Sequence, residues 1–445
     1  MIGYSPMKLS DLNRKDKKMK KRDFLKTAGI IILAGMLIVS CGDKDESKPP
    51  EKDKTEQTNI EKGNDKTEKD ENNASNDFTF EIKETPLVES ITVTDISPGD
   101  YYGIYSMSDG IFAMASQELS IGLMDKDGNI LMPYEYSTRR KIHDGVTAVR
   151  NDMGLWGYFN VNEKRFILEC KYDSVTDFSE GIGCYFDGEY FRYINTDGTP
   201  AIDDVFYEAV AFSDGLARVL YDDGCGYIDK TGELVISSDY VNFDDFHDGF
   251  ARVHDEGVFG YMDKTGTLKY SMNCDGIYNF KDGLAAFVKD KKVGYINTKG
   301  EVVIEPVYDI PNQNLDEYFR FECGVAPVMK DGKYGFINGK GVLVVQPLYD
   351  LAYFAVENII RVQKDGLYGY VGTDGTVITD CIFKEASAFS EGVAYVMKDD
   401  RYYFINKEGK ELTSERFDDV CNFTGGTAFV VKPDTFTWTK VIIDK

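Results

Sequence analysis

From about residue 103 onward, short apolar blocks and short polar blocks alternate along the chain and return with a fixed period. In residues 282–309 the apolar run 284–288 leads through Lys289 and Asp290 into Val293, Gly294, Tyr295 and Ile296. The chain then passes Asn297 and Gly300 into Val302, Val303 and Ile304, and stops at Pro306. Compact β-rich runs separated by Asp-Gly and Asn-x-x-Gly steps predict strands joined by hairpin turns. Asp and Asn bond their own backbone there, and Gly accepts a positive φ. Pro306 and Pro347 end the third strand, because proline cannot donate to a ladder. A weaker fourth strand starts at Tyr172, Tyr308 and Tyr349 and leads to the next Phe. Each copy is therefore predicted to be a three- or four-stranded antiparallel meander.

Two landmarks set the period. Phe-x-Asp/Glu-Gly recurs at residues 178–181, 212–215, 246–249, 280–283 and 389–392, with a looser version at 321–324. Eleven residues after its Gly comes an aromatic-Gly-aromatic-aliphatic step, centred on Gly122, Gly157, Arg192, Gly226, Gly260, Gly294, Gly335, Gly369 and Tyr403. The spacings of these centres are 35, 35, 34, 34, 34, 41, 34 and 34 residues. Nine steady copies name an architecture before any activity.

Within Trp156, Gly157, Tyr158 and Phe159 both faces of the strand are apolar or small, whereas a sheet with one wet face would alternate with polar residues. The sheets are therefore expected to sit between neighbours, stable only as an array. The 29 Tyr and 28 Phe are accordingly read as repeat core in preference to a ligand platform.

The ends bear on how the array closes. Residues 78–82 and 90–94 are strand-like, and residues 427–431 and 439–444 look like the first two strands of a further copy. N-terminal strands completing the C-terminal sheet would close a ring, as in propellers. Nine or ten copies of about 34 residues exceed the usual blade number, so an open β-solenoid-like stack competes with the curved, propeller-like array. The seven-residue excess between Gly294 and Gly335 marks a potential break near 310–320 and a distinctive loop.

Composition changes the picture mainly at the N-terminus. The 445 residues are 42% hydrophobic and carry a formal charge of −25, yet residues 1–41 hold nine basic and three acidic side chains, leaving the remainder near −31. Such an acidic surface repels phosphate backbones, so no nucleic-acid partner is expected. Lys20, Lys21 and Arg22, the apolar run 28–39 and then Ser40 and Cys41 have the form of a secretory signal, too short for a dedicated spanning helix. Met7 and Met19 are alternative starts. Residues 42–77 are almost devoid of apolar side chains and are expected to be a disordered charged tether.

Two resemblances follow. Ile38, Val39, Ser40 and Cys41 resemble a bacterial lipoprotein lipobox, which implies lipidation of Cys41, a membrane partner through that anchor, and an extracytoplasmic position in a cell envelope. Residues 21–26 also resemble a twin-arginine export signal with one Arg replaced by Lys, and the general secretory route is favoured. The copies over residues 103–431 resemble the bacterial WG (KWG) repeat family. Only Trp156 and Gly157 keep its eponymous pair; Phe259, Tyr334, Tyr368 and Tyr402 stand for the Trp, and Arg192 and Tyr403 replace the Gly. The resemblance implies an all-β repeat domain, common on exported proteins, and supplies no catalytic residues.

A search for chemistry yields no catalytic, metal or cofactor site. His247 and His254 lie seven apart and face opposite sides of a strand, and His143 is remote in sequence. No nucleophile elbow, phosphate loop or zinc-protease motif occurs. Asp125 to Gly128 look like the start of a calcium loop, but the downstream Glu is missing and the segment coincides with the repeat turn. Carboxylates that recur with the repeat are read as turn geometry. After Cys41 the cysteines number seven, without Cys-x-x-Cys spacing, and are read as packing thiols with one inter-copy disulfide left open. Two functions remain. One is a binding or scaffolding module for an envelope protein or glycan; the other is an envelope-polymer hydrolase with an acidic pair, Asp316 and Glu317, in the insertion.

Overall fold

The computed structural model describes residues 84–444 apart from 100, 118–119, 139–140, 223, 239–242, 256, 312–318 and 436. The signal segment with Cys41, the tether 42–77, the strand-like 78–82 and the pair Asp316 and Glu317 lie outside the described residues. All regular elements among the described residues are β-strands, 36 of them, and all their pairings are antiparallel. They form nine sheets, and the seven-stranded one spans two copies, so the described residues make ten copies. Across the 310–320 region Asp309 pairs with Met329, which joins copies 6 and 7 in one continuous ladder. No sheet closes on itself into a barrel.

The phase of the copies differs from the sequence reading. Tyr172, Tyr308 and Tyr349 lie at the end of the outer strand of their own sheet, which runs on through Pro306 and Pro347, and the weak strand that follows the landmark opens the next sheet. Glu208–Ala209 pairs forward with Leu216–Tyr221, which pairs with Gly224–Asp229 and then with Leu234–Ser238. The two sequence landmarks consequently meet across the boundary between copies. The Tyr of one copy lies against the Phe of the next: Tyr158 with Phe178, Tyr227 with Phe246, Tyr261 with Phe280 and Tyr370 with Phe389, at centroid distances of 4.8, 4.7, 4.7 and 5.0 Å. These tyrosines are fully buried, yet each hydroxyl finds a carbonyl at the start of the next sheet. Tyr158 donates to Thr176 O at 2.8 Å, Tyr261 to Tyr278 O at 2.6 Å, Tyr370 to Ser387 O at 2.6 Å, and Tyr227 to Asp244 O. A ring with a polar tip thus fills the gap and satisfies a donor that would otherwise be costly to bury.

The repeat glycine has a steric cause. A Cβ on Gly226 would fall 2.1 Å from Ile236 O, and one on Gly157 would fall 2.4 Å from Leu168 O. The outer strand bulges inward at this point, with a register shift between Tyr227 and Ile228 and another between Tyr158 and Phe159. Where Arg192 and Tyr403 supply a side chain, in copies 3 and 9, the outer strand is not formed. Only isolated bridges remain, Phe191 to Phe206 and Ile194 to Pro200 in copy 3, and Tyr402 to Phe417 and Ile405 to Glu411 in copy 9. Both replacements of the repeat glycine thus coincide with a loop in place of the outer strand.

The ends meet. Ile91–Val93 pairs with Trp438–Ile443 through Ile91 to Ile443, Thr92 to Ile442 and Val93 to Val441, completing the last sheet. Copy 1 packs on copy 10: the rings of Phe112 and Phe429 lie 4.8 Å apart at 82°, and Trp438 Nε1 donates to Tyr101 O at 3.0 Å. Of the two arrangements the sequence leaves open, the structure adopts the closed, propeller-like one.

Candidate functional site

The repeated carboxylates have a structural task. Asp144, Glu180, Asp214, Asp248, Glu357 and Glu391 sit at left-handed turn positions, with φ between 50° and 57°. Each accepts a hydrogen bond from a glycine amide in the next copy's turn. Asp144 takes Gly181 N at 2.8 Å, Asp248 takes Gly283 N at 2.9 Å, Glu357 takes Gly392 N at 2.9 Å, and Glu391 takes Gly425 N and Gly426 N at 2.7 Å each. Lys230 reinforces one such link through Glu180 at 3.0 Å. A charge-assisted bond to the neighbouring copy is what keeps an acidic residue at this position.

The other residues singled out by sequence are placed apart. His254 stacks on Phe259 at 4.4 Å and 15°, and the backbones of His143 and His247 are tied into turns by pairing with Val146 and Phe250. Among the described residues no group of three or more His, Cys, Asp or Glu is arranged to hold a metal ion. In the calcium-like segment Asp125 Oδ1 accepts the amides of Asp127 and Asn129, both at 2.9 Å, while Asp127 pairs with Lys440 at 2.9 Å. That hydrogen bond and charge hold the Asp127 carboxyl below its ordinary value. The seven described cysteines are free thiols, and no inter-copy disulfide forms. Burial pushes the Cys170 and Cys421 thiols up to about 11 and about 12, which suits packing and not nucleophilic chemistry.

The site that sequence reasoning missed lies where copy 3 loses its outer strand. A cavity of about 360 Å³ opens between copies 3 and 4. Its walls are Tyr190, Tyr207, Tyr221 and the part-exposed Leu234, its floor includes the buried Phe206 and Ile228, and Asp204 and Asp222 stand exposed at its rim. The rings of Tyr190 and Tyr207 are 5.6 Å apart and tilted by 48°, and Tyr207 donates its hydroxyl to Asp222 at 2.6 Å. Lys and Arg are absent from the lining, and Arg192 turns aside to pair with Asp187. Aromatic walls with two carboxylates at the rim suit a small ligand or a single side chain that presents polar or cationic groups. The available signal was Arg192 in the glycine position; its consequence for the outer strand was not legible.

Comparison with known proteins bears on the family. The WG containing repeat matches residues 156–186, 191–225, 226–257, 259–292, 294–310, 314–334, 334–368 and 368–402. Copies 1 and 10, which form the seam, lie outside these matches. No curated protein matches the chain. Among solved structures, the chain is similar to a eukaryotic initiation factor at 11% identity and a TM-score of 0.45, covering 75% of this chain and 98% of that one. It is also similar to the WD40 domain of SCAP from fission yeast, at 10% identity and a TM-score of 0.31, with 79% and 97% covered. Neither likeness carries an activity across. The eight matches, spread over more than half of the chain and coinciding with the observed antiparallel copies, show that it belongs to the WG-containing repeat family.

Proposed function

We propose that this chain is an exported lipoprotein whose β-repeat ring binds an envelope component, protein or glycan, without turning it over. Cys41 is acylated in this reading, and residues 42–77 tether the ring to a bacterial membrane. The observation that carries the binding half is the contrast between the repeated positions and the copy 3 cleft. The repeated turn carboxylates and Tyr158, Tyr227, Tyr261 and Tyr370 link each copy to the next, whereas the cleft gathers three tyrosines and two exposed carboxylates around an open cavity. The lipid half rests on the lipobox-like residues 38–41 behind an apolar run.

Two measurements test it. Acyl labelling of the full chain, with Cys41→Ser as the unlabelled comparison, is expected to place the lipid on that cysteine; equal labelling of the variant would remove the anchor. Residues 78–445 form one compact unit and serve as bait against solubilised envelope and isolated cell-wall polymer. Retention of one protein or glycan is expected, and released or shortened polymer would point to hydrolysis instead.

A further inference from the structure

Copies 3 and 9 share the same departure from the repeat, and they resolve it differently. Their bridges correspond residue for residue at an offset of 211, Phe191 to Phe206 with Tyr402 to Phe417, and Ile194 to Pro200 with Ile405 to Glu411. The offset aligns Tyr190 with Arg401, Asp204 with Glu415, Val205 with Arg416, Tyr207 with Asp418 and Tyr221 with Lys432. Where copy 9 meets copy 10 the three basic residues pair with the loop's carboxylates. Arg401 pairs with Asp418, Lys432 lies 3.9 Å from Glu415, and Arg416 pairs with Glu411 at 2.8 Å while its guanidinium lies 4.2 Å over the Tyr403 ring. In copy 3 those three positions hold Tyr, Val and Tyr. There the carboxylate of Asp204 remains, and no ion pair reaches Asp204 or Asp222 among the described residues.

We infer that the copy 3 cleft takes an organic cation, an ammonium or guanidinium group, at the positions where copies 9 and 10 carry arginines and a lysine of their own. Tyr190, Tyr207 and Tyr221 give aromatic faces to a cation, and Asp204 and Asp222 give it counter-charge. The cavity, about 360 Å³, has room for one basic side chain or a short polyamine. The chain's formal charge of −25 draws cations toward the ring. This inference rests on the binding reading and narrows its ligand to one that presents a positive charge.

The test is calorimetric titration of residues 78–445 with Nα-acetyl-arginine amide, Nα-acetyl-lysine amide and spermidine, with a neutral chitin oligosaccharide as comparison. The cations are expected to bind, with affinity falling at least about five-fold between 50 and 300 mM salt. Asp204→Asn with Asp222→Asn is expected to lower affinity about ten-fold or more. Val205→Arg with Tyr221→Lys, which installs two of the three aligned cations, is expected to abolish binding in a protein that keeps its β-sheet circular dichroism. Preference for the amino-acid amides assigns the site to a basic side chain of a protein, and preference for spermidine assigns it to a free polyamine. Tighter binding of the neutral oligosaccharide overturns the inference, as does cation binding unchanged by either double variant. Envelope material retained equally by wild type and the Val205→Arg, Tyr221→Lys protein overturns this cleft as the site while leaving the binding reading standing.

Discussion

A Cβ on Gly425 would fall 2.8 Å from the Cα of Gly110, which lies 315 residues earlier in the chain. Gly425 occupies the position that Glu391 and its relatives hold in other copies, and here the carboxylate link is replaced. Thr424 Oγ1 accepts the Gly110 amide at 2.9 Å. At the seam a glycine, with no side chain, leaves room at that turn for copy 1. Gly425→Ala is expected to add the strain of a left-handed alanine, about 1–2 kcal/mol, to a backbone collision. Gly426→Ala meets nothing within 4 Å and incurs the conformational cost alone. Hydrogen exchange of the amides in Ile91–Val93 checks the contrast, with the first variant opening the seam and the second leaving it closed.

Tyr227 and Tyr295 occupy the same repeat position, but among the described residues only Tyr227 has an acceptor. Tyr227 donates to Asp244 O, seventeen residues on, whereas Tyr295 Oη is buried with no partner among the described residues. Tyr227→Phe is expected to cost about 1 kcal/mol, the usual worth of a buried hydrogen bond. Tyr295→Phe is expected to be neutral or stabilising. Thermal unfolding of the two variants separates them, and an equal loss for both would mean that the 310–320 insertion supplies an acceptor.

Gly226→Ala places a methyl group 2.1 Å from Ile236 O, which cannot yield without moving Leu234–Ser238. The expected loss is about 2–3 kcal/mol. A shift of the denaturation midpoint much smaller than this would show that the bulge relaxes freely.

The seam is also expected to weaken in acid. Asp444 accepts Ser90 Oγ at 2.7 Å and Thr92 Oγ1 at 2.6 Å, and these bonds hold its carboxyl below the ordinary 3.8; the Lys440 partner does the same for Asp127. A carboxylate with a depressed folded-state pKa stabilises above its unfolded value, and that contribution is lost as pH falls through the folded value. Emission of the buried Trp438, in a Trp156→Phe background, is expected to change as pH drops below about 4. Asp444→Asn should flatten the part of that change that comes from the strand.

Glu391 accepts two backbone amides of the next copy. Glu391→Ala removes the acceptor for both the Gly425 and Gly426 amides, at an expected cost of about 1 kcal/mol because the site is partly solvated. Glu391→Gln keeps one acceptor oxygen and should recover part of the loss in thermal unfolding.

What the sequence determined by itself was the local grammar. The β class, the turns at Asp-Gly and Asn-x-x-Gly, the burial of Tyr158, Tyr227 and Tyr261, and the structural use of the repeated carboxylates all follow from short-range pattern and from a period that no single site would show. Tertiary structure decided three matters that depend on how the strands and copies pack. It joined Ile91 to Ile443, because completing the last sheet requires a strand that sequence order places first. It made the repeat glycine a steric requirement, because the carbonyl that would meet its side chain comes from a bulge ten residues later. It also turned Arg192 from apparent drift into the origin of a cleft, whose ligand chemistry emerges only when Tyr190, Val205 and Tyr221 are set beside the cations at the aligned positions in copies 9 and 10.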